Sequence, residues 1–427
     1  MSPGRRYGFG FWSVAAVFLT VIAFSTAPGP LYTLYRERDG FSAFVVTIVY
    51  AAYSVCAVVS LVLAGHLSDS HGRRRVLVPA LLLEIVAAAV FLFWPALPGL
   101  IVARSLTGLG IGAFTSTATA WLGELHAGHR PRATNRRAQV VGTASNVWGF
   151  GVGTMLSGAL AQWAGHPLTV PYLVFVIALV AGLLLVLAAP ETRAPMTPRT
   201  RYRPQRVSVP HHVRGRYLAA ATGMFAVFAA LGLFTSVAPS YLSGPLHHPS
   251  VALAGAVTFV VFTSAVAAQL ATSMIGMRRL LTTGIPILLV GLALLVAAVW
   301  LPVPSLAGFL TGGVVAGLGG GILFRGNLST VVTLAPENAR AEALAGLFVA
   351  GYLGLTIPVI GLGLLVRYST PQVGLLVFAT ALALAVIATA PTLLCRTGAA
   401  DERTPAPLFS EASAFSLATA VRDGDER

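Results

Sequence analysis

The stretch GHLSDSHGRRRV, residues 65–76, decides how the rest of the chain is interpreted. It is short and strongly charged, yet it lies between two long apolar segments. Residues 41–64 contain no charged side chain, and residues 77–94 contain a single one, Glu84. Each flank is long enough to cross a bilayer as a helix. The stretch is therefore predicted to be a loop at a membrane surface.

The residue types of this loop have separate physical roles. Gly65 allows a neighbouring helix to come close, Asp69 offers a carboxylate to a helix N-terminus, and Gly72 permits a tight reversal. The arginines at 73–75 are expected on the cytoplasmic side, where basic loop residues concentrate. An acid and three arginines in a loop are more often a solvated hairpin. Here, however, the pattern G-x-L-x-D-x-x-G-R-R between the second and third apolar segments resembles the signature loop of the major facilitator superfamily.

We predict that this loop is a conformational latch. Asp69 is expected to face the N-terminus of the eleventh helix, and Arg73 is expected to reach Glu124 at the inner end of the fourth helix. Both contacts are expected only while the cytoplasmic side is closed. With Gly65 and Gly72, these residues form the predicted latch.

Composition restricts the class of protein. The chain has 427 residues, of which 56% are hydrophobic and 10% charged, which is too apolar for a soluble domain and indicates a polytopic membrane protein. All 28 basic residues are arginine, against 14 acidic ones. They lie in short loops and not on one soluble module, so nucleic acid is not an expected partner. Two cysteines and nine scattered histidines predict no metal site and no cofactor.

Apolar windows predict an all-α membrane protein with twelve transmembrane helices in two pseudo-symmetric six-helix bundles. The predicted helices lie near 11–33, 41–65, 76–94, 99–122, 138–162, 170–189, 216–242, 250–272, 280–301, 304–334, 341–366 and 371–394. The corresponding domains are a first bundle at 1–189, a cytoplasmic linker at 190–215, a second bundle at 216–395 and a disordered cytoplasmic tail at 396–427.

Three weak repeats support two related halves. Residues 24–28 return at 234–239, residues 108–112 return at 317–321, and residues 72–77 return at 276–281. Internal repetition in the same order is typical of transporters. Arginine placement predicts that both termini are cytoplasmic and that the protein is a multi-pass protein of the cell inner (plasma) membrane.

Two buried charges are candidates for proton coupling. The run from Arg104 to Gly110, RSLTGLG, resembles the second signature of the family, in which this arginine is commonly tied to proton coupling. An arginine inside an apolar helix is also costly unless it faces a cavity or a partner, although Arg104 could instead extend to the outer interface. Glu84 is the one acid in the middle of a predicted span and is the candidate proton carrier. Alternatively, it remains protonated or pairs with Arg104 as a structural support.

The resemblance also implies which helices surround a substrate cavity, namely the first, fourth, seventh and tenth. Their polar and aromatic residues at membrane depth are the candidate cavity residues: Thr26, Tyr32, Thr115, Phe234, Arg325 and Asn327. Arg325 is predicted to contact an acidic or electron-rich part of the substrate, or else to form a structural pair. None of these four helices carries a carboxylate at membrane depth, so the usual arrangement of a cation antiporter is missing.

The direction of transport rests on weaker signals. The Pro-Gly-Pro turn at 28–30 resembles the twelve-helix drug:proton antiporters, but the fifth helix has spaced glycines without the proline expected of exporters. We predict a monomeric secondary active transporter that exports a small amphipathic compound against protons, and not an enzyme. The alternatives are an uptake symporter or facilitator for a small organic anion and, in another class, a membrane enzyme or receptor-like protein on this scaffold.

Overall fold

The computed structural model describes residues 3–64, 71–130, 133, 136–193, 213–336 and 339–395. These residues are mostly helical and include no strand. The predicted latch residues Gly65 and Asp69 lie outside the described part of the chain. In chain order the helices are α1 (Pro3–Thr26, continued by Pro28–Asp39), α2 (Ala43–Ala64), α3 (Arg73–Phe93), α4 (Leu97–His129), α5 (Arg136–Trp163), α6 (Val170–Ala188), α7 (Arg214–Ser236, continued by Ala238–Ser243), α8 (Val251–Ala271), α9 (Met277–Trp300), α10 (Leu306–Leu334), α11 (Arg340–Tyr368) and α12 (Pro371–Leu394).

Within the described residues, eleven helical segments are long and apolar enough to cross a membrane. The exception is α5, which at 28 residues is long enough but less apolar. Its side chains Gln139, Thr143 and Asn146 line an internal cavity, which explains why it is less apolar than the other helices. The predicted all-α architecture with twelve helices is confirmed, and several helices extend a turn or two beyond their apolar windows because their polar ends project from the apolar zone.

Helices α1 and α7 are interrupted at equivalent places. In α1 the break falls at Ala27, immediately before Pro28, which has no N–H to donate and cannot continue the ladder. In α7 it falls at Val237, two residues before Pro239. The two breaks lie against each other, because the backbone carbonyl of Thr235 packs onto Gly29. A residue with a side chain at position 29 would not fit this approach.

Two groups of helices, α1–α6 and α7–α12, form the halves of the molecule. The halves meet mainly through α5 against α8 and through α2 against α11. Small residues allow the first contact, since Gly255 of α8 packs directly on the backbone of Thr154 in α5. Close backbone approach at glycine is a common means of helix association in membranes.

Successive helices run in opposite directions, so their ends lie at one of two faces of the molecule. We call one the arginine-rich face, where odd-numbered helices begin and even-numbered helices end. The other is the opposite face. Described arginines at the arginine-rich face are Arg5, Arg6, Arg73, Arg74, Arg75, Arg130, Arg136, Arg137, Arg193, Arg214, Arg216, Arg278, Arg279 and Arg340, whereas Arg36, Arg38 and Arg367 lie at the opposite face.

Candidate functional site

A cavity of about 310 Å³ lies between the two halves. Most of its lining residues come from the helix segments nearer the arginine-rich face, whereas Tyr50, Leu231 and Thr235 lie nearer the opposite face. Helix α4 contributes Thr115, Ser116 and Thr119 from its second half, and α11 contributes Phe348 and Tyr352 from its first half. The cavity therefore extends from the middle of the molecule towards the arginine-rich face.

On the opposite side, contacts between the halves seal the cavity. At its floor, the hydroxyl groups of Tyr50 and Thr235 are hydrogen-bonded at 2.7 Å. Nearer the surface, Arg36 donates from Nη1 to the hydroxyl oxygen of Ser240 at 3.2 Å. Gln162 of α5 accepts from the backbone N–H of Val251 in α8 at 3.2 Å. Access to the cavity is thus from the arginine-rich face.

The two sides of the cavity differ in chemistry. The first half supplies a wall of hydroxyl and amide side chains, which we call the polar wall: Thr115, Ser116, Thr119, Gln139, Thr143 and Asn146. The second half supplies a row of four rings, which we call the aromatic wall: Phe348, Phe324, Phe228 and Tyr352. Along this row the ring centroids are separated by 6.3, 6.2 and 6.0 Å.

Charge is scarce in the cavity. Among the described residues that line it, Arg73 is the charged side chain and no carboxylate is present. Arg73 forms a two-pronged ion pair with Glu124, with Nη2 at 2.7 Å from Oε1 and Nε at 3.2 Å from Oε2. The remaining polar lining consists of neutral groups.

Of the six sequence-based cavity candidates, Thr115 lines the cavity in this conformation. Three of the other candidates have contacts elsewhere. Thr26 donates to the carbonyl of Phe150 at 2.9 Å, and the ring of Phe234 packs 5.8 Å from that of Phe309. The hydroxyl oxygen of Tyr32 accepts a hydrogen bond from Nε of Arg104.

Arg325 and Asn327 of α10 also lie off the cavity. Arg325 donates from Nη2 to the backbone carbonyl of Ser273 at 2.8 Å, and Asn327 is buried beside Gly223. The cavity side of α10 is formed instead by Phe324 and residues near it at helical spacing, and each step along a helix turns about 100°. The sequence-based placement of Arg325 in the cavity therefore does not describe this conformation.

Sequence reasoning also missed most of the actual lining. A signal was present in the spacing of four residues, since Phe324, Leu328 and Val332 of α10 recur at this interval and share one helical face. The same interval relates Leu344 to Phe348 in α11. The sequence alone did not show which face of each helix points inward.

Arg104 is fully buried at the centre of the first half. Its Nε donates to the hydroxyl oxygen of Tyr32 at 2.5 Å, and its Nη1 donates to the carbonyl of Ser25. The guanidinium carbon lies 5.3–5.4 Å from the ring centroids of Tyr32, Tyr50 and Tyr53. This arginine does not extend to an interface, because aromatic faces and a backbone carbonyl hold the cation inside the protein.

Glu84 of α3 is also fully buried. Neither of its carboxyl oxygens has a hydrogen-bond partner among the described residues, and no ion pair joins it to Arg104 there. Its carboxyl group packs against Gly110, where a side chain would collide with it. The glycine that ends the RSLTGLG run thus makes room for this acid.

A polar network holds the described part of the predicted latch. The carboxylate of Glu191 accepts the backbone N–H groups of Arg73 at 3.0 Å and Arg74 at 2.8 Å, and so caps the start of α3. Gly72 adopts a left-handed φ of 95° against this carboxylate. The Arg73–Glu124 pair is formed while the cavity extends towards this face. That this contact depends on closure of the cytoplasmic side stays a prediction, since the pair is observed here in a single conformation.

Two six-helix halves around a cavity sealed on one side define a fold of secondary transporters. The sequence matches the profile of the Major Facilitator Superfamily over residues 13–301, and the chain belongs to this family of membrane transporters. The family resemblance inferred from the sequence is thus confirmed.

Two curated relatives match over short segments. The chain is 25% identical to the Bacillibactin exporter of Bacillus subtilis (strain 168) over 139 residues, which are 31% of this chain and 34% of that protein. It is 35% identical to the Arabinose-proton symporter of the same organism over 89 residues, which are 21% of this chain and 19% of that protein. The matches span about a third and a fifth of these relatives' own lengths.

Solved structures show the same fold over nearly the whole chain. The nucleoside transporter NupG aligns with a TM-score of 0.68 at 13% identity, covering 89% of this chain and 99% of that one. A bacterial homolog of the human lysosomal transporter Spinster, solved in an inward-facing and unoccupied conformation, aligns with a TM-score of 0.65 at 13% identity. It covers 92% of this chain and 95% of that one.

Proposed function

We propose that this transporter exports a small amphipathic compound in exchange for protons by alternating access. The observation that carries the proposal is the one-sided cavity between the halves, at about the size expected for a small organic ligand. In this scheme the arginine-rich face and both termini are cytoplasmic, in agreement with the placement of the loop arginines. The protein acts as a monomer in the cell membrane, and it is a transporter and not an enzyme.

Coupling to protons is assigned to Glu84, with Arg104 as its electrostatic neighbour. A buried carboxyl group without a hydrogen-bond partner can take up and release a proton as its surroundings change. The guanidinium of Arg104 packs on the ring of Tyr50. The hydroxyl group of Tyr50 forms the hydrogen bond with Thr235 that helps to seal the opposite face. Opening of that face would change the surroundings of Arg104 and, through its charge, those of Glu84.

Two features favour export. The first is the local match to an exporter, and the second is the Pro-Gly-Pro sequence at 28–30, which begins the second segment of α1. Uptake of a neutral solute with protons is the second candidate, favoured by the local match to a symporter. Uptake of an organic anion has less support, because Arg325 lies off the cavity and Arg73 is paired with Glu124.

Everted membrane vesicles with an acidified lumen test the direction. A panel of amphipathic dyes that includes N-phenyl-1-naphthylamine is added, and the internal pH is followed with a quenched acridine dye. An exporter moves dye inward and protons outward, so fluorescence should recover in wild-type vesicles and not in vesicles lacking the protein. If dye accumulates only in right-side-out vesicles with an acidic exterior, uptake symport replaces export.

A further inference from the structure

The chemistry of the cavity identifies the class of compound that it binds. We propose that the substrate is an uncharged compound with a flat aromatic body and hydrogen-bonding groups along one edge. The body would lie on the aromatic wall of the second half, and the polar edge would face the polar wall of the first half. This inference rests on the proposed transport function for its relevance in cells, but binding can be tested without it.

The aromatic wall favours a flat ligand. Phe228 and Phe324 are nearly parallel, with an interplanar angle of 25°. At either end of this pair, Phe348 is inclined by 55° to Phe324 and Tyr352 by 60° to Phe228. The rings come from α7, α10 and α11, so their alignment depends on the packing of three helices. The near-parallel pair offers offset stacking to another aromatic ring, and the two inclined rings offer edge-to-face contacts at its ends.

The polar wall provides hydrogen bonds that the protein itself does not use. The Nε2 amide of Gln139 is buried and has no hydrogen-bond partner among the described residues. The side chains of Thr143 and Asn146 line the cavity one and two turns further along the same helix. A buried donor without a partner is costly, so a ligand that supplies an acceptor there is favoured.

The charge distribution argues against a charged substrate. No carboxylate is present among the described lining residues, so a cation would enter the cavity without a counter-ion. An anion would have to compete with Glu124 for Arg73. An ion that is desolvated without a partner binds poorly, whereas a neutral compound does not carry this cost.

Three fluorescent probes separate these possibilities. N-Phenyl-1-naphthylamine is neutral, 8-anilino-1-naphthalenesulfonate has the same aromatic body with an added anionic group, and ethidium is a flat cation. Binding is measured by fluorescence with the purified protein in nanodiscs, after subtraction of protein-free nanodiscs. We expect the neutral probe to bind at least about tenfold more tightly than either ion.

One substitution in each wall tests whether the neutral probe binds between the two walls. Phe324→Ala should weaken binding of the neutral probe about tenfold, and Asn146→Ala about threefold, since one removes a stacking ring and the other a hydrogen-bonding group. Phe93→Ala removes a ring that is 86% exposed on the outer surface of α3 and serves as the matched control, with no change expected.

Three results would contradict the proposed substrate class, and a fourth would contradict the direction of transport. Tighter binding of ethidium or of the sulfonate, no binding of any probe by protein that elutes as a single folded species, or equal effects of Phe324→Ala and Phe93→Ala would each overturn the inference. Tight and wall-dependent binding of the neutral probe without export in vesicles would instead contradict the proposed direction of transport and leave the substrate class standing.

Discussion

Arg104 and Glu84 are both fully buried, yet the protein surrounds them in opposite ways. The arginine contacts three tyrosine rings and donates to a backbone carbonyl and a phenol oxygen. The acid has no hydrogen-bond partner in the described part of the chain. A buried acid that can gain or lose a proton, in the same half as a fixed cation, is consistent with the proposed coupling to protons.

Glu84→Gln tests the role of the acid, because the amide has nearly the same shape but cannot carry a proton. We expect accumulation driven by a pH gradient to fall at least about tenfold, while downhill exchange of substrate is retained. Transport is measured in proteoliposomes with and without an imposed gradient. The matched control is Glu342→Gln in the first turn of α11, at the arginine-rich face. Full gradient-driven activity in Glu84→Gln would remove this residue from the coupling mechanism.

Arg104 and Arg325 should respond differently to substitution. Arg104→Lys keeps the charge but cannot reproduce the planar contacts with three tyrosines, so coupled transport should be lost while probe binding remains. Arg325→Ala removes a donation to Ser273 outside the cavity and should leave binding within about twofold of the wild-type value. Equilibrium binding and gradient-driven uptake are measured on both variants. A large loss of binding in Arg325→Ala would show instead that this residue contributes to ligand binding.

Sequence reasoning could identify Arg104 and Glu84 because intramembrane charges are rare. It could not identify the tyrosines around Arg104, which come from α1 and α2 at least 51 residues earlier and carry no charge themselves. Nor could it separate Phe324 from Arg325, which are adjacent in the chain but point to different sides of α10. The identity of a charged residue is visible in the sequence, whereas its direction depends on how the helix is rotated in the bundle.

At the scale of helices, the start of α3 is capped by a residue that follows a different helix. Glu191 follows α6 and accepts two backbone N–H groups at the start of α3, at a position where no side chain within α3 provides a cap. A carboxylate at this position also interacts favourably with the helix dipole. The network therefore ties α3 to α6 and, through Arg73 and Glu124, to the end of α4.

Glu191→Ala should lower stability by about 1–2 kcal/mol, the usual range for loss of a charged cap. The change is measured as the shift in thermal unfolding midpoint of the detergent-purified protein. Glu37→Ala, at an exposed position in the second segment of α1, is the control and should have little effect. Equal midpoints for the two variants would show that the cap does not contribute to stability.

At the scale of the whole molecule, the hydrogen bond between Tyr50 and Thr235 joins the halves at the floor of the cavity. Because it can exist only while the opposite face is closed, it favours the present conformation over one that opens to that face. A buried hydrogen bond between neutral groups contributes about 1 kcal/mol, or roughly a fivefold change in a two-state equilibrium.

Tyr50→Phe should therefore increase the population open at the opposite face about fivefold. Distances between spin labels at residues 39 and 249 report this change, in a background where Cys56 and Cys395 are replaced by serine. Tyr241→Phe is the matched control, since it removes a phenol that donates to the carbonyl of Pro371 within the second half. Identical distance distributions in the two variants would show that the Tyr50 contact does not control the equilibrium.

The fold of the whole molecule was more predictable than its cavity. Twelve apolar segments and one charged loop restrict the topology, because a chain in lipid must satisfy its backbone hydrogen bonds within helices. The cavity, by contrast, is formed by side chains from both halves whose inward direction follows from the packing of α5 on α8 and of α2 on α11. Such packing angles are not encoded in local hydrophobicity.

The separation of the polar wall from the aromatic wall has an evolutionary consequence. The two walls belong to different halves of the chain, so a substitution in α4 or α5 changes which polar groups a ligand must carry and leaves the stacking surface intact. A substitution in α10 or α11 changes the size of flat body that fits and leaves the hydrogen bonds intact. Ligand preference can therefore diverge along two independent routes among descendants of this protein, without changing the tyrosines around Arg104.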